Sequence, residues 1–275
     1  MSDKYGSFYE MAGRYYPEDE ITYSSLSGII RKKWVLNKIN TMPAGCLLDC
    51  GCNIGRLGSH WERGAIFGVD ISLSLLRVGK RAFPLVNFVN GDARNLDFLK
   101  PMTMDSAIVI EVIEHLDRPR EFLKGLYKAM KHGGEVLVTC PGYSRTRPKY
   151  LELGIVRSFG IRKGPDGTGD RYLHTAYKPG ELASMAKQAG FAVKESGGFE
   201  HEMRVWNRLL VMLSNMAAFL GTKLFPYSKL NYLLLRAIHK LELNIFQALD
   251  VFGFSRFLRI LFKEGRRTYV LLQKI

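Results

Sequence analysis

Short apolar runs alternate with stretches of helical spacing through the middle of the chain. Gly45–Cys50, Ala65–Asp70, Val86–Asn90, Ser106–Ile110 and Glu135–Thr139 read as strands. Ser72–Ala82 and Pro119–Met130 carry apolar residues three and four apart and read as helices. Ser72 is the N-cap of the first, and His132-Gly133-Gly134 gives a glycine stop for the second. Strands that are apolar throughout, each followed by a helix, are buried on both faces. They predict a doubly wound, mostly parallel sheet. Pro179–Ala189 adds a helix, Phe191–Ser196 a sixth strand and Thr268–Gln273 a seventh. Ahead of the sheet, residues 1–45 read as a helical lead-in, with Leu26, Ile29, Ile30, Trp34 and Leu36 on one side and Arg31-Lys32-Lys33 on the other.

Two stretches break the alternation. Residues 142–173 are polar and contain Gly164-Pro165-Asp166-Gly167-Thr168-Gly169, the composition of a mobile loop, and over an active site of a lid. Residues 203–264 are rich in Leu, Phe, Met and Trp at helical spacing, a helical insertion before the last strand. The expected division is a lead-in over 1–45, a ligand-binding core over 46–200, the insertion over 201–265 and the final core strand over 266–275.

Charge sharpens the view of the insertion. The chain has 275 residues and a formal net charge of +14. Residues 201–275 hold 12 basic and 4 acidic residues, so the last quarter carries more than half of the excess. That asymmetry points to an anionic partner, a membrane surface before a nucleic acid, since no aromatic–basic interleaving of the single-strand-binding kind is visible. The charge-free run Leu209–Thr222 is 14 residues long, below the ~18 of a spanning helix. Arg256, Arg259 and Lys263 lie opposite Phe257, Leu258, Leu261 and Phe262, the pattern of a helix lying in a membrane interface. The competing reading is that these helices cover one another, cap the sheet or pair between subunits. Cys46, Cys50, Cys52 and Cys140 fit neither a zinc knuckle nor a disulfide framework, and the first twenty residues lack a signal peptide's apolar core. A cytoplasmic chain, peripheral on the membrane, is expected.

Candidate chemistry begins at Leu47-Leu48-Asp49-Cys50-Gly51-Cys52-Asn53-Ile54-Gly55, a buried strand running into a loop with two glycines. The loop fits the dinucleotide fingerprint poorly, because that pattern needs a third glycine for close helix packing. A cationic ligand fits better. Asp49, Asp70, Asp92 and Glu111 close four successive strands, at the edge where such sheets bind ligands. Asp49 suits an ammonium group, Asp70 a pair of ribose hydroxyls and Asp92 an adenine amino group, with Ala93 as a backbone donor. Acids are also common at strand ends as N-caps, but four in register with the glycine loop exceed that role.

These segments resemble the class I S-adenosylmethionine-dependent methyltransferases, of the type acting in ubiquinone and menaquinone biosynthesis. The matching residues are LLDCGCNIG at 47–55, GVDIS at 68–72, NGDARNL at 90–96, MDSAIVIEVIEHLDRP at 104–119, LYKAMKHGGEVLVTCP at 126–141 and HTAYKPGELASMAKQAGF at 174–191. Cys52 and Asn53 depart from the usual loop. The resemblance implies a Rossmann-like seven-stranded sheet and S-adenosylmethionine contacts from Asp49, Gly51, Asn53, Gly55, Asp70, Ile71, Asp92, Ala93 and Glu111. It implies methyl transfer to a small or lipid-like hydrophobic acceptor, with an oxygen favoured. His115, beside Glu114, is the expected proton acceptor, since imidazole titrates near neutrality; the alternative is that it only hydrogen-bonds backbone at its turn. Glu111, Glu114, His115 and His174 also resemble the divalent-metal set of some ubiquinone and small-RNA methyltransferases, although metal-free relatives carry the same Glu-His pair. RNA methylation and a non-catalytic scaffold are the competing functions.

Overall fold

The computed structural model describes residues 4–15, 18–142, 150–152, 171–203, 229–262 and 265–275. Three helices open the chain: α1 (Lys4–Tyr15), α2 (Glu18–Ser24) and α3 (Leu26–Ile39). The strands β1 (Leu47–Cys50), β2 (Ile66–Asp70), β3 (Asn87–Asn90), β4 (Met104–Ile110) and β5 (Met130–Pro141) follow, with α4 (Leu73–Ala82) and α5 (Pro119–Ala129) between them. Strands β6 (Tyr150–Glu152) and β7 (Arg171–Leu173) pair as a small hairpin. Helix α6 (Pro179–Gln188) leads to β8 (Ala192–Phe199), and α7 (Lys229–Asp250) and α8 (Phe254–Leu261) precede β9 (Arg267–Gln273). The main sheet has the order β3-β2-β1-β4-β5-β9-β8. Its first five strands are parallel, and β9 runs antiparallel between β5 and β8. This is the expected doubly wound, mostly parallel α/β architecture of seven strands.

Alternation along the strands builds two cores, because successive side chains leave opposite faces. Leu47, Ile108, Leu137 and Leu271 pack with Val35, Ile39 and Trp61 beneath α3. Leu48, Val109, Val136, Val138 and Leu272 pack on the other face with Leu123 and Leu126 of α5 and Leu182 and Ala186 of α6. Each fully buried Leu or Val contributes about 1.5–3 kcal/mol relative to exposure, so the central strands dominate the stability. Caps fall where short polar residues stand. Ser25 Oγ accepts the Gly28 N–H at 3.1 Å, and Ser72 Oγ accepts the Leu75 N–H at 3.3 Å.

Two expectations change. Helix α5 ends at Ala129, and the glycines of His132-Gly133-Gly134 lie within β5 rather than capping a helix. Their backbone groups are taken by the end of the chain: the Gly133 N–H donates to Lys274 O at 2.7 Å, and Gly134 O accepts the Lys274 N–H at 3.0 Å. Strand β8 runs on to Phe199, past Ser196, because β9 supplies partners through Gly197 and Gly198. Residues 204–228, with the run Leu209–Thr222, lie outside the described residues, as do Lys263 and most of the 142–173 stretch. None of the four cysteines is in a disulfide. Among the described residues no helix is long and apolar enough to cross a membrane.

Candidate functional site

The loops leaving β1, β2, β3 and β4 meet the lead-in helices around a cavity of about 210 Å³. The glycine loop forms its floor. Gly51 has φ +73°, and a Cβ there would lie 2.3 Å from Val112 Cγ2, so only glycine fits. Asn53 adopts φ +55°. Its own amide oxygen steadies that conformation by accepting the Ile54 N–H at 2.8 Å, while its N–H donates to Asp70 Oδ2 at 2.8 Å. Gly55 backs the loop without lining the cavity; a Cβ there would lie 2.8 Å from the Phe88 ring. Asp49, Gly51, Asn53, Asp70, Ile71, Asp92, Ala93 and Glu111 all line the cavity.

The acids differ in their surroundings. Asp49 is almost fully buried and accepts the Gly58 N–H at 3.0 Å. Burial, with a smaller push from Asp70, raises its carboxyl to about 7 despite that hydrogen bond. Burial likewise lifts Asp70 to about 6, against the N–H groups of Ser72 and Asn53. Asp92 is clasped by Arg94, whose backbone N–H and Nε donate to its two oxygens at 2.8 Å.

The roof of the cavity was not foreseen. Tyr9 of α1, Tyr23 of α2 and Arg31 of α3 line it from above. Glu10 holds α1 down by accepting from the Ser72 hydroxyl and the Ser74 N–H, each at 3.1 Å, and from the Ser74 hydroxyl. Arg56 Nε donates to Asp19 Oδ2 of α2 at 2.7 Å. Single acids on short polar helices carry no pattern by which a sequence could announce these contacts.

The turn after β4 also lines the cavity, through Glu111, Val112, His115 and Leu116. Glu111 adopts φ +59°, which turns its carboxylate back into the protein. One oxygen accepts from Thr139 Oγ1 at 2.9 Å and the other from Arg267, with Arg31 at 4.0 Å. Arg31 Nε also donates to Glu200 at 3.0 Å, and Arg267 Nε lies 3.5 Å from the same carboxylate. Burial would raise Glu111, but Arg267 and Arg31 outweigh it and hold its carboxyl below the usual range. Glu114 lies in the opposite condition. It is 1 % exposed, and burial plus the Glu111 charge push its carboxyl well up.

His115 lines the cavity, with Nε2 3.8 Å from Glu114 Oε1 and its ring 5.2 Å from that of His174. Glu114 Oε2 is buried without a hydrogen-bond partner. Glu114, His115 and His174 each offer a ligand atom, all within 4.8 Å of one another. Three of the four residues expected around a metal are therefore brought together, while Glu111 is committed to arginines. Glu200 and Arg267, the partners that fix Glu111, lie on distant strands and carry no local motif.

Residues 48–138 match the family described as a methyltransferase domain. A ubiquinone biosynthesis O-methyltransferase of Acinetobacter baumannii (strain AYE) is 27 % identical over 180 residues, covering 62 % of this chain and 74 % of its own. One from Dechloromonas aromatica (strain RCB) is 27 % identical over 212 residues, covering 72 % and 85 %. In structure, the chain resembles Haemonchus contortus phosphoethanolamine N-methyltransferase 2 in complex with S-adenosyl-L-methionine. The TM-score is 0.57 at 20 % identity, over 97 % of this chain and 60 % of the other. With the glycine loop, the strand-end acids and the sheet order already in place, the chain is an S-adenosylmethionine-dependent methyltransferase of the Rossmann-like type.

Proposed function

We propose that this enzyme methylates an oxygen, a phenolic hydroxyl, on a hydrophobic acceptor related to a quinone precursor and presented at a membrane surface. The observation that carries the reading is one continuous cavity lined by Asp49, Asp70 and Asp92 together with Val112, His115 and Leu116. S-adenosylmethionine supplies a methyl group already activated by its sulfonium. The chain's residues align the reactants and handle the proton. Asp49 faces the cationic methionine end and Asp70 the ribose. The acceptor oxygen takes the methyl carbon as its proton passes to His115 Nε2, and Glu114 stands beside that ring.

The raised carboxyls give this reading a pH signature. A cationic ligand favours the ionised form of Asp49, so binding releases protons wherever the empty site holds them. Affinity for S-adenosylmethionine should therefore fall on acidification through about 7, and again through about 6 where Asp70 takes up its proton. Asp49 alone implies a roughly tenfold weaker Kd at pH 6 than at pH 8. Calorimetry in buffers of different ionisation enthalpy reads both the affinity and the proton release. A Kd flat across this window would remove Asp49 from the cation's surroundings.

One observation favours a variant of the chemistry. The ligand atoms of Glu114, His115 and His174 converge beside a buried, unpartnered carboxylate oxygen. A divalent cation held by those three would lower the acceptor hydroxyl's pKa and gather two neighbouring oxygens. Labelled methyl transfer to a prenylated catechol, with and without EDTA, tests both forms. Turnover indifferent to EDTA supports His115 acting alone. Turnover lost in EDTA and restored by Mg²⁺ supports the metal. Transfer to RNA in place of the catechol, or cofactor binding without any transfer, overturns the reading.

A further inference from the structure

We propose that the α7–α8 hairpin is a docking edge for an anionic lipid bilayer. The inference rests on the reading of a membrane-borne acceptor and adds where the chain touches the lipid. One face of the hairpin is fastened to the protein. Phe246, with Leu243 beside it, packs against Leu26, Ile30 and Met203, and His239 Nδ1 lies 3.1 Å from Ser24 Oγ. On α8, Leu258 is buried and Arg259 Nε donates to the buried Glu202 at 2.5 Å. These contacts fix which way the other face points. They also correct the expected helical sides: Leu258 packs inward, and Arg259 is tied to an acid of the protein.

Among the described residues, the outward face carries a row of large apolar side chains. Leu233, Leu241, Ile245 and Leu249 stand exposed at four- and eight-residue intervals on α7, and Phe257, Ile260 and Leu261 do so on α8. Between the helices, Val251 and Phe252 are 82 % and 88 % exposed, at the tip of the turn. Monomeric proteins seldom leave so many large apolar side chains exposed along one edge. The same edge is basic. Arg236, Lys240 and Arg256 are exposed on it, and Arg236 and Lys240 flank the apolar row one helical step away. Of its acids, Glu242 is partly buried and Asp250 accepts the Ser255 N–H at 2.9 Å.

Charge and shape select the partner. A second copy docking through a twofold axis would bring this basic row against itself, which is repulsive. A nucleic acid would satisfy the cations and leave Phe252 and Ile260 in water. An anionic bilayer accepts both, with apolar side chains entering between headgroups and cations remaining at the phosphate level. A protruding turn fits a fluid surface, whereas protein partners commonly offer it a preformed groove. The hairpin would lie on the bilayer without crossing it, since among the described residues no helix is long and apolar enough to span one.

Flotation of the full chain with vesicles tests the proposal. Binding is expected to vesicles with roughly a third phosphatidylserine and to be much weaker to phosphatidylcholine alone or in high salt. The double variant Phe252→Ser/Ile260→Ser should lose about tenfold or more in partitioning, and Arg236→Gln/Lys240→Gln severalfold. Cofactor affinity, measured alongside, controls for folding. Transfer to a short-chain, water-soluble catechol should stay at the wild-type rate. Equal partitioning of wild type and both variants, or no vesicle binding by any, overturns the proposal. So does a change of sedimentation from dimer to monomer in the double variant with no change in flotation. Vesicle binding retained by an enzyme that methylates no catechol would overturn the acceptor reading and leave the docking edge standing.

Discussion

Replacing His115 with alanine is expected to lower kcat for methyl transfer by about 10²–10⁴-fold, the range for loss of a positioned general base. His115 sits in a tight 3-10 turn, Ile113–His115, that follows directly from the strained Glu111, and its ring faces the cavity. The turn itself is held by backbone: the His115 N–H donates to Val112 O at 3.0 Å, a bond that alanine keeps. The variant should therefore fold, and its affinity for S-adenosylmethionine should change by no more than about threefold, because the carboxylates near the cofactor loop are untouched. The separation of kcat from cofactor Kd is the diagnostic. A variant whose kcat stays within threefold of wild type would show that His115 only fills its turn. A variant that loses cofactor affinity in proportion to rate would make it a structural support of the cavity.

The second large effect is on stability. Arg267→Met should destabilise the protein by about 3–5 kcal/mol, the usual cost of leaving a buried charge without its partner. Arg267 serves two carboxylates at once, Glu111 by hydrogen bond and Glu200 at 3.5 Å, in a region where Arg31 is the other cation near both. Glu200 is 2 % exposed and its side chain is fully buried. Methionine keeps much of the volume, so a packing defect contributes little. Denaturant unfolding measures the loss, which corresponds to a melting temperature lower by roughly 10 °C in a chain of this size. Adding Glu200→Gln to Arg267→Met should recover part of it, since the carboxylate left behind is then neutral. A loss below about 1 kcal/mol would mean that Arg31 alone neutralises the cluster. A double variant no better than the single would mean that the cost lies elsewhere.

Periodicity and turn chemistry reach only as far as local residues decide the outcome. The glycine loop was legible because Gly51 and Gly55 both take positive φ, a demand of the turn itself, although the side chains that bar a Cβ there, Val112 and Phe88, are distant in sequence. The strand-end acids were legible because a parallel sheet brings the carboxyl ends of its strands to one edge. Glu111 shows the limit. Its position at the edge was foreseen, yet its carboxylate faces Arg267, which is 156 residues away, and Thr139, 28 away. Rotation of that side chain depends on a single backbone torsion and on pairings no local pattern encodes. The lead-in was legible as helix, through Leu26, Trp34 and their spacing, but not as the roof of the cavity. Glu10 and Asp19 meet partners at the start of α4 and just past the glycine loop, 62 and 37 residues away in sequence. The stop expected at His132-Gly133-Gly134 failed for a related reason, since glycines that suit a helix end equally suit a strand whose backbone pairs with that of Lys274.

The place of β9 between β5 and β8 has a consequence for biosynthesis. Strand β8 lies at the edge of the sheet, and β9 is its one neighbour there. During translation β8 leaves the ribosome about seventy residues ahead of that neighbour, so it waits unpaired through the synthesis of the helical stretch. Arg267 arrives with β9 as well, so Glu111 and Glu200 lack that cation until the last strand slots in. Nascent chains should consequently hold the first five strands early and gain protease resistance around the Glu111 turn late, in one step, as β9 emerges. The basic, apolar hairpin is made in that same interval, before the sheet closes.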